Sequence, residues 1–318
     1  MQEKESHLPF MNRRKFLGCL GVLGLFSGYY FGFHKPNVKD QDSCLEAIQT
    51  AITHMERVGA AINWYDPSSP LSILNREGKL DNADPILIDV LQKSKEMAKL
   101  TDGAFDPTIL PLLQLLKKIR STGKVPPADE VEKLLPLVNY ENVVIEKNSI
   151  RYTKPGMGMS LDGLGKGYVV DAGIKKLNER GFPDAYVEAG GDLMVTGAKE
   201  NGKPWTIGIR SPRPETEGKQ YIITMHNRAI ATSGDYMQAF TKDRRFHHII
   251  NPATGFSPPE LASASILAPT VAEADGFATA AIVMGPEKAI ALIDSLPQYE
   301  GFLIGKDLST YTSKHFFA

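Results

Sequence analysis

The spacing of apolar residues predicts long helices near the start of the chain and short strands further along. Beyond residue 44, apolar side chains recur at the three- and four-residue steps of an amphipathic helix: Leu45, Ile48, Ile52, Met55, Val58 and Ile62. Asp84 followed by Pro85 is typical of a helix N-cap with proline in the first turn, and it predicts a second helix ending near Thr101. Two prolines and three serines break the pattern over 65–75, so we predict a loop there.

The middle and C-terminal parts of the chain mix strands with helices. Apolar segments predict strands at "NVVIE", "SIRYT" and "GMSL", then four or five more among the turns "EAGGD", "TSGDY" and "NPATG". We predict helices over 163–181, "TVAEADGFATAAIVMG" and "PEKAIALIDSL", and a late strand at "GFLIG". Because strands and helices do not alternate regularly, the pattern favours an α+β fold of mixed sheets with packed helices over a doubly wound parallel sheet.

The N-terminal segment has a different pattern, in which a basic cluster at 13–15 precedes an apolar run over 16–33. A basic segment before an apolar one is typical of an export signal, and Arg-Arg followed by Phe-Leu resembles a twin-arginine signal. An ordinary secretory signal with two chance arginines is the alternative. The run is near the lower limit for crossing a bilayer. We therefore predict that 1–38 is an export signal or uncleaved membrane anchor, and that 39–318 is a domain on the periplasmic side of the cytoplasmic membrane.

Composition narrows the chemistry available to that domain. The 318 residues have a formal net charge of −1, which argues against a nucleic-acid-binding protein. The two cysteines, Cys19 and Cys44, lie far from any metal-binding or disulfide-framework spacing. The groups that remain for binding or catalysis are therefore carboxylates, hydroxyls and backbone groups.

The segment "SLDGLGKGYVVD" (160–171) places three glycines and Lys166 at the start of a predicted helix. Glycines let the backbone approach a ligand closely, and free amides at a helix start suit a phosphate. The spacing is not that of a Rossmann or P-loop fingerprint, so a purely structural turn is an equally good interpretation.

In "EADGFATA", Asp275 and Thr279 are four residues apart and share one face of a helix. Carboxylate and hydroxyl oxygens are ligands that Mg²⁺ and Ca²⁺ accept. A helical Asp–Thr hydrogen bond is the alternative. A lone acid among Ala, Gly and Val favours the ligand interpretation, because burying an unpaired carboxylate is costly.

Two further segments carry weaker signals. "EAGGDL" predicts a bulge or tight turn at a strand end. His247 and His248 lie in a predicted strand that leads into an Asn-Pro turn. Neighbouring strand residues face opposite sides, so at most one of the two histidines can point into a given site.

Seven segments, in this order, resemble the ApbE-type FAD:protein FMN transferase family. They span roughly 65–285 and read "YDPSSPLSILN", "TDGAFDPTILPLL", "SLDGLGKGYVVD", "EAGGDLMVTG", "AIATSGDY", "HHIINPATG" and "EADGFATAAIVMG". The resemblance implies a T-fold-like α+β architecture and a reaction in which FAD is cleaved at its pyrophosphate. FMN is then joined through a phosphoester to a Thr or Ser of an acceptor protein, and AMP leaves. The resemblance also implies a divalent cation, Mg²⁺ or alternatively Ca²⁺ or Mn²⁺. The implied acceptor carries an Asp/Ser-Gly-Ala-Thr/Ser motif, as on a subunit of a membrane redox complex.

The resemblance also assigns roles to individual positions. The positions matched to FAD contacts are Tyr65, Ala104, Phe105, Asp106, Ser160, Lys166 and Ile250. The matched metal ligands are the backbone oxygen of Gly163 and the side chains of Asp275 and Thr279, and the matched catalytic residues are His248 and Asp275. Asp235 is a further candidate for the base.

This sequence departs from the family pattern at three places. Ser160 stands where the family usually has Asp, with Asp162 two places later, and Asn251 replaces the Asp of an Asp-Pro turn. The family's opening strand is not recognisable between the predicted signal and Leu45. Two other functions stay open: an FAD pyrophosphatase, in which water replaces the acceptor, and a non-catalytic periplasmic flavin-binding protein.

Overall fold

A seven-stranded antiparallel sheet with helices packed against it organises the fold. The computed structural model describes residues 29–33, 41–120, 125–199, 202–213 and 221–318. The strands are β1 (Tyr29–Phe33), β2 (Lys79–Asp81), β3 (Val143–Ile145), β4 (Ser149–Tyr152), β5 (Ala185–Ala189), β6 (Asp192–Thr196), β7 (Trp205–Ile209), β8 (Tyr221–Met225), β9 (Arg228–Gly234), β10 (Leu261–Ala268), β11 (Glu300–Gly305) and β12 (Thr310–Thr312). The helices are α1 (Gln41–Ile62), α2 (Pro70–Glu77), α3 (Pro85–Leu100), α4 (Leu110–Arg120), α5 (Ala128–Leu134), α6 (Gly165–Glu179), α7 (Val271–Met284) and α8 (Pro286–Ser295).

The large sheet has the strand order β1-β5-β6-β9-β10-β11-β12, and all its pairings are antiparallel. A three-stranded sheet, β2-β4-β3, and a two-stranded sheet, β7-β8, complete the described strands. The predicted α+β class is therefore confirmed: helices and antiparallel sheets are mixed without βαβ alternation.

The interior strand β10 is buried along its whole length because both faces of the sheet are covered. On one face, Ala264 and Ile266 belong to the main core beneath α6 and α7. On the other, Leu267 packs with Trp205 and Phe302 in a second core that involves the β7-β8 sheet. This arrangement fixes α7, which carries the predicted metal ligands, directly against β9 and β10.

Helix α6 approaches α7 unusually closely. A Cβ atom on Gly167 would lie 2.3 Å from the backbone oxygen of Val271, so only glycine fits there. One turn further along α6, Asp171 accepts hydrogen bonds from the amides of Val271 and Ala272 at 2.8 and 2.9 Å. The first turn of α7 is therefore held by α6 as well as by its own Thr270 and Glu273 capping box.

Several elements follow the sequence expectations closely. The amphipathic pattern became α1, and Asp84 caps α3 by accepting a hydrogen bond from the Ile86 amide. The predicted helices over 163–181 and at the two C-terminal segments became α6, α7 and α8, and "GFLIG" lies in β11. Between 185 and 268 the described residues form six strands, where four or five were predicted.

The loop predicted over 65–75 is wrong in its second half, because α2 begins at Pro70. Ser69 caps the helix by accepting a hydrogen bond from the Ser72 amide, and Pro70 occupies the first turn. A serine before a proline is a start signal of the same kind as Asp84 before Pro85, and we took it for a break. Helices α4 and α5 were also not predicted.

The strand predicted at "GMSL" (158–161) does not form. The amide and the carbonyl of Met159 are both bonded to the side chain of Asn75, at 2.7 and 2.9 Å. The polar side chain therefore satisfies backbone groups that would otherwise pair with a neighbouring strand.

The N-terminal prediction falls mostly outside the described residues. The last five residues of the apolar run form β1, which pairs antiparallel with β5 from Tyr29↔Ala189 to Phe33↔Ala185. The rest of the run and the basic cluster lie outside the described part of the chain. Among the described helices, none combines the length and the apolar character needed to cross a membrane. The division at residue 38 stays a prediction.

Candidate active site

The eleven residues to which the resemblance assigns a role all line one cavity of about 500 Å³. It lies between the loop before α6, the first turns of α7, the end of β9 and the segments around residues 104–117 and 237–252. Eleven positions spread from Tyr65 to Thr279 thus meet in a single place. From the predicted turn "TSGDY", Thr232, Ser233 and Gly234 line the cavity.

At the polar end of the cavity, three oxygen-bearing groups come together. The Thr279 hydroxyl lies 3.5 Å from the backbone oxygen of Gly163 and 3.2 Å from the Ser233 hydroxyl. Asp275 is 5% exposed, and its Oδ2 accepts a hydrogen bond from the Gly167 amide at 3.2 Å. The three predicted metal ligands therefore face the same end of the cavity from α7 and from the loop before α6.

The electrostatics of this end favour a bound cation. Burial raises the pKa of Asp275 well above its ordinary value, and the neighbouring carboxylate of Asp192 raises it further. Burial likewise raises the pKa of Asp192, although Lys166 opposes this. Buried carboxylates that repel each other in this way gain stability when positive charge is brought between them.

Lys166 lines the cavity and forms an ion pair with the buried carboxylate of Asp192. Burial opposes the charge on Lys166, but the carboxylates of Asp192 and Asp275 outweigh it and raise the pKa of the ammonium. Lys166 therefore stays charged at the place where the resemblance puts an FAD contact.

We expect Lys166→Met to weaken FAD binding at least about tenfold, because a charge-assisted contact to a phosphate contributes on the order of 1.5–3 kcal/mol. The substitution also leaves Asp192 buried without its cation, which destabilises the fold. Lys166→Met/Asp192→Asn is the matched control, since it removes the orphaned charge. FAD titration and urea denaturation together check the prediction: the double variant should regain stability but not FAD affinity. Unchanged FAD affinity in both variants would mean that the segment only turns the chain.

Another part of the cavity lining is aromatic. The indole nitrogen of Trp64 and the hydroxyl of Tyr65 both donate to Asp162 Oδ2, at 2.9 and 3.2 Å. The two rings lie 3.9 Å apart between centroids, and Lys117 Nζ lies 5.5 and 5.1 Å from their centroids. With Phe105 and Ile250, these rings give the cavity the apolar surface that a flat ring system requires.

Asp106 and Ser160 line the cavity, but their side chains form hydrogen bonds with other groups of the protein. Asp106 Oδ1 accepts from the amide and hydroxyl of Thr108 at 2.8 and 2.6 Å, and Oδ2 accepts from the Tyr140 amide at 2.9 Å. The Ser160 hydroxyl accepts from the Asp162 amide at 3.2 Å. Both side chains therefore hold the loops that carry Phe105 and Gly163.

The two histidines are separated as expected, although they do not lie in a strand. His247 forms only an isolated bridge with Ala239. Its Nε2 lies 3.3 Å from the Pro258 oxygen, and burial lowers its pKa to about 4. His248 lines the cavity. The strand failed to extend because Ser257, and not a neighbouring strand, bonds the amide and the oxygen of His247.

Asp235 does not reach the cavity. It is fully buried and receives two hydrogen bonds of 2.7 Å from the guanidinium of Arg213, and Lys306 Nζ lies 3.9 Å from it. A carboxylate held in this way is unsuited to accept a proton from a substrate, so we withdraw Asp235 as a candidate base.

Sequence reasoning missed three residues of the site: Asp192, Trp64 and Lys117. Asp192 follows the two glycines of "EAGGDL", both of which have positive φ, 59° and 99°, as the turn interpretation required. An acid at the start of a buried strand was a usable signal for a paired charge. Lys117 lies on α4, which the sequence analysis did not predict.

Known proteins resemble this chain over most of its length. The model of the ApbE family matches residues 32–303. The FAD:protein FMN transferase of Vibrio cholerae serotype O1 is 30% identical over 271 residues, which cover 82% of this chain and 79% of the relative. That of Haemophilus influenzae is 30% identical over 252 residues, which cover 76% and 73%.

Solved structures agree with these relatives. The ApbE protein of Thermotoga maritima superposes with a TM-score of 0.79 at 27% identity, covering 91% of this chain and 98% of its own. The flavin transferase ApbE of Vibrio cholerae gives 0.77 at 28% identity, covering 91% and 94%. With the family match, the relatives and the fold in agreement, this chain belongs to the ApbE family.

Proposed function

We propose that this protein is an FAD:protein FMN transferase. The observation that carries the proposal is the convergence of all eleven family-matched positions on one cavity, in a chain that belongs to the ApbE family. In the reaction, the oxygen of an acceptor Thr or Ser attacks the FMN phosphorus. The pyrophosphate bond to AMP breaks, AMP leaves with the bridging oxygen, and the hydroxyl proton passes to a base.

We propose that FAD lies with its flavin ring at the aromatic side of the cavity and its phosphates at the polar end. Tyr65, Ala104, Phe105 and Ile250 supply apolar surface for the ring. Lys166 lies at the polar end and is charged, which suits a phosphate. Asp106 and Ser160 act by holding the loops.

The residues present suit a divalent cation with a preference for oxygen. In the part of the chain that the structure describes, no three His, Cys, Asp or Glu side chains are grouped for metal binding. Gly163, Asp275 and Thr279 instead offer a carbonyl, a carboxylate and a hydroxyl, which Mg²⁺ accepts when substrate phosphates and waters complete its shell. Ca²⁺ and Mn²⁺ share this preference. Bound there, the ion would supply positive charge to offset the negative charge of the pyrophosphate.

His248 is our proposed base. It lines the cavity, whereas Asp275 is buried against the Gly167 amide and is better placed to hold the cation. A histidine can accept the acceptor's proton near neutral pH without a large shift of its pKa. Asp275 remains the second catalytic residue, acting through its charge.

The acceptor and the location of the protein are part of the same proposal. We propose an acceptor with an Asp/Ser-Gly-Ala-Thr/Ser motif on a membrane redox complex, met on the periplasmic side of the cytoplasmic membrane. Arg-Arg at 13–14 before the apolar run supports export.

We expect residues 1–40, fused to a reporter that is active only after translocation, to give full reporter activity. The basic cluster and apolar run would carry the fusion across the membrane. Replacing Arg13 and Arg14 with lysine should stop export if the twin-arginine route is used and should spare it if the general route is used. A reporter retained in the cytoplasm would contradict export by either route.

One experiment separates the transferase from the two alternatives. The protein is incubated with FAD, Mg²⁺ and a protein domain bearing the acceptor motif, and covalent flavin is measured by in-gel fluorescence alongside released AMP. A transferase gives one AMP per flavin attached. AMP release without covalent flavin would indicate a pyrophosphatase, and FAD binding without either product would indicate a binding protein.

A further inference from the structure

One segment connects the cavity with a basic surface outside it. Residues 236–248, called the arm here, fold back on themselves: the Phe240 amide donates to the Phe246 oxygen at 2.7 Å, and the His248 amide donates to the Gln238 oxygen at 3.1 Å. The base of the arm lines the cavity through Met237, Gln238, Phe240 and His248. The tip is residues 241–245, which are not part of the cavity lining.

The tip of the arm is positively charged and ordered. It carries Lys242, Arg244 and Arg245 against Asp243, the arm's single carboxylate, in a chain whose overall charge is −1. Asp243 is used inside the turn, where it accepts hydrogen bonds from the Thr241 hydroxyl and the Arg245 amide. Lys242 and Arg245 are exposed.

A hydrogen bond from outside the arm holds its tip in place. Lys306, which follows β11, donates to the Arg244 oxygen at 3.1 Å, and its Nζ lies 3.9 Å from the Asp235 carboxylate that Arg213 also binds. The tip itself carries three cations and one carboxylate, so it is a preorganised surface with net positive charge.

The cavity lining is exposed at the base of this arm. Met237 lines the cavity and is 53% exposed, and Tyr65, which also lines it, is 42% exposed. His248, at the other end of the arm, lines the same cavity. A partner that touches the tip is therefore held within a few residues of this part of the cavity lining.

We propose that the arm is the docking surface for the acceptor protein and that Lys242 and Arg245 recognise acidic residues flanking the acceptor hydroxyl. This inference rests on the proposed function, because it assumes a protein acceptor. Opposite charges at the rim of an interface raise the association rate and select the partner, and they act without touching the reacting atoms.

The test is a charge exchange between enzyme and acceptor. Two synthetic peptides share the central sequence Asp-Gly-Ala-Thr, and one is flanked by glutamates and the other by lysines. The wild-type protein should have a KM about tenfold lower for the glutamate-flanked peptide. In Lys242→Glu/Arg245→Glu the preference should reverse, while FAD affinity stays unchanged. A merely structural role for the arm would not reverse a preference.

A matched control reverses two exposed cations outside the cavity lining. Lys147 lies in the β3–β4 turn and Lys288 lies on α8. Lys147→Glu/Lys288→Glu makes the same change in net charge and should keep the wild-type order of KM values. If it reverses the preference as the arm variant does, the effect belongs to net charge and the docking surface is wrong.

Peptide binding, measured by fluorescence anisotropy without FAD, separates this inference from the proposed function. Charge-dependent binding without any labelling would contradict the transferase function alone. Labelling with equal KM values for both peptides would overturn the docking surface alone. If the arm variant instead loses binding to phosphatidylglycerol vesicles and both KM values are unchanged, the arm is a membrane contact and the proposal is wrong.

Discussion

Replacing Asp275 with alanine should lower the rate of FMN transfer by about a thousandfold, or ~4 kcal/mol, because it removes the one formal charge among the proposed metal ligands. Thr279→Val keeps the shape of the side chain and removes an uncharged ligand. It should cost about tenfold, and raised Mg²⁺ should restore most of the loss. Transfer rates over a Mg²⁺ titration check both values.

The order of the two effects is the informative part. Asp275→Asn is the matched control, since it keeps the size of the side chain and an acceptor for the Gly167 amide while removing the charge. It should resemble Asp275→Ala in rate and the wild type in stability. Full transfer by the wild type in excess chelator, or a larger loss for Thr279→Val than for Asp275→Ala, would contradict the metal assignment.

Gly167→Ala should destabilise the protein by about 3 kcal/mol, although alanine is the better helix former. The new Cβ would lie 2.3 Å from the Val271 oxygen and 2.7 Å from the Ala272 amide nitrogen, so α6 and α7 must separate. That separation also moves Asp275 away from the Gly167 amide, so Mg²⁺ affinity should fall together with stability. Urea denaturation and metal titration measure the two effects.

Gly208→Ala is the matched control for this change. Gly208 lies in β7, and a Cβ there would meet no atom within 4 Å. Its free energy of unfolding should stay the same or rise by up to ~1 kcal/mol, since alanine reduces the freedom of the unfolded chain. Equal stability of the two variants would show that the α6–α7 contact is looser than the structure indicates.

Elements with local start signals were predictable from the sequence. Asp84 before Pro85 predicted α3, and the three- and four-residue apolar period predicted α1. Both signals are local, because a helix cap and an amphipathic face depend on residues close together in the sequence. The same signal at Ser69 before Pro70 was available for α2, and we read it as a break. The missed start of α2 was therefore an error of interpretation, since the sequence contained the signal.

Elements decided by distant contacts were not predictable. "GMSL" looks like a strand, yet Asn75, more than eighty residues away, occupies the backbone of Met159. The pairing of Lys166 with Asp192 and of Asp235 with Arg213 also depends on the folded chain. The local sequence pattern cannot predict such contacts, because the residues around each side chain do not indicate which distant residue it will pair with.

The site residues were found for a different reason. No single motif located the cavity: the glycine segment had an equally good structural interpretation, and the Asp275–Thr279 pair indicated ligands without showing where the rest of the site lies. Their order along the chain, matched to a known family, brought them together, and the structure places all of them around one cavity. The arm was not found in this way, because its charges lie on a turn for which the sequence analysis made no prediction.

The most direct test of the transferase function is the intact mass of the acceptor after reaction. A domain bearing the acceptor motif is incubated with this protein, FAD and Mg²⁺, and its mass is compared with that of a domain whose acceptor Thr is replaced by Ala. We expect the first to gain the mass of FMN less one water and the second to stay unchanged. An acceptor of unchanged mass while FAD is consumed would contradict the assignment of this protein as an FAD:protein FMN transferase.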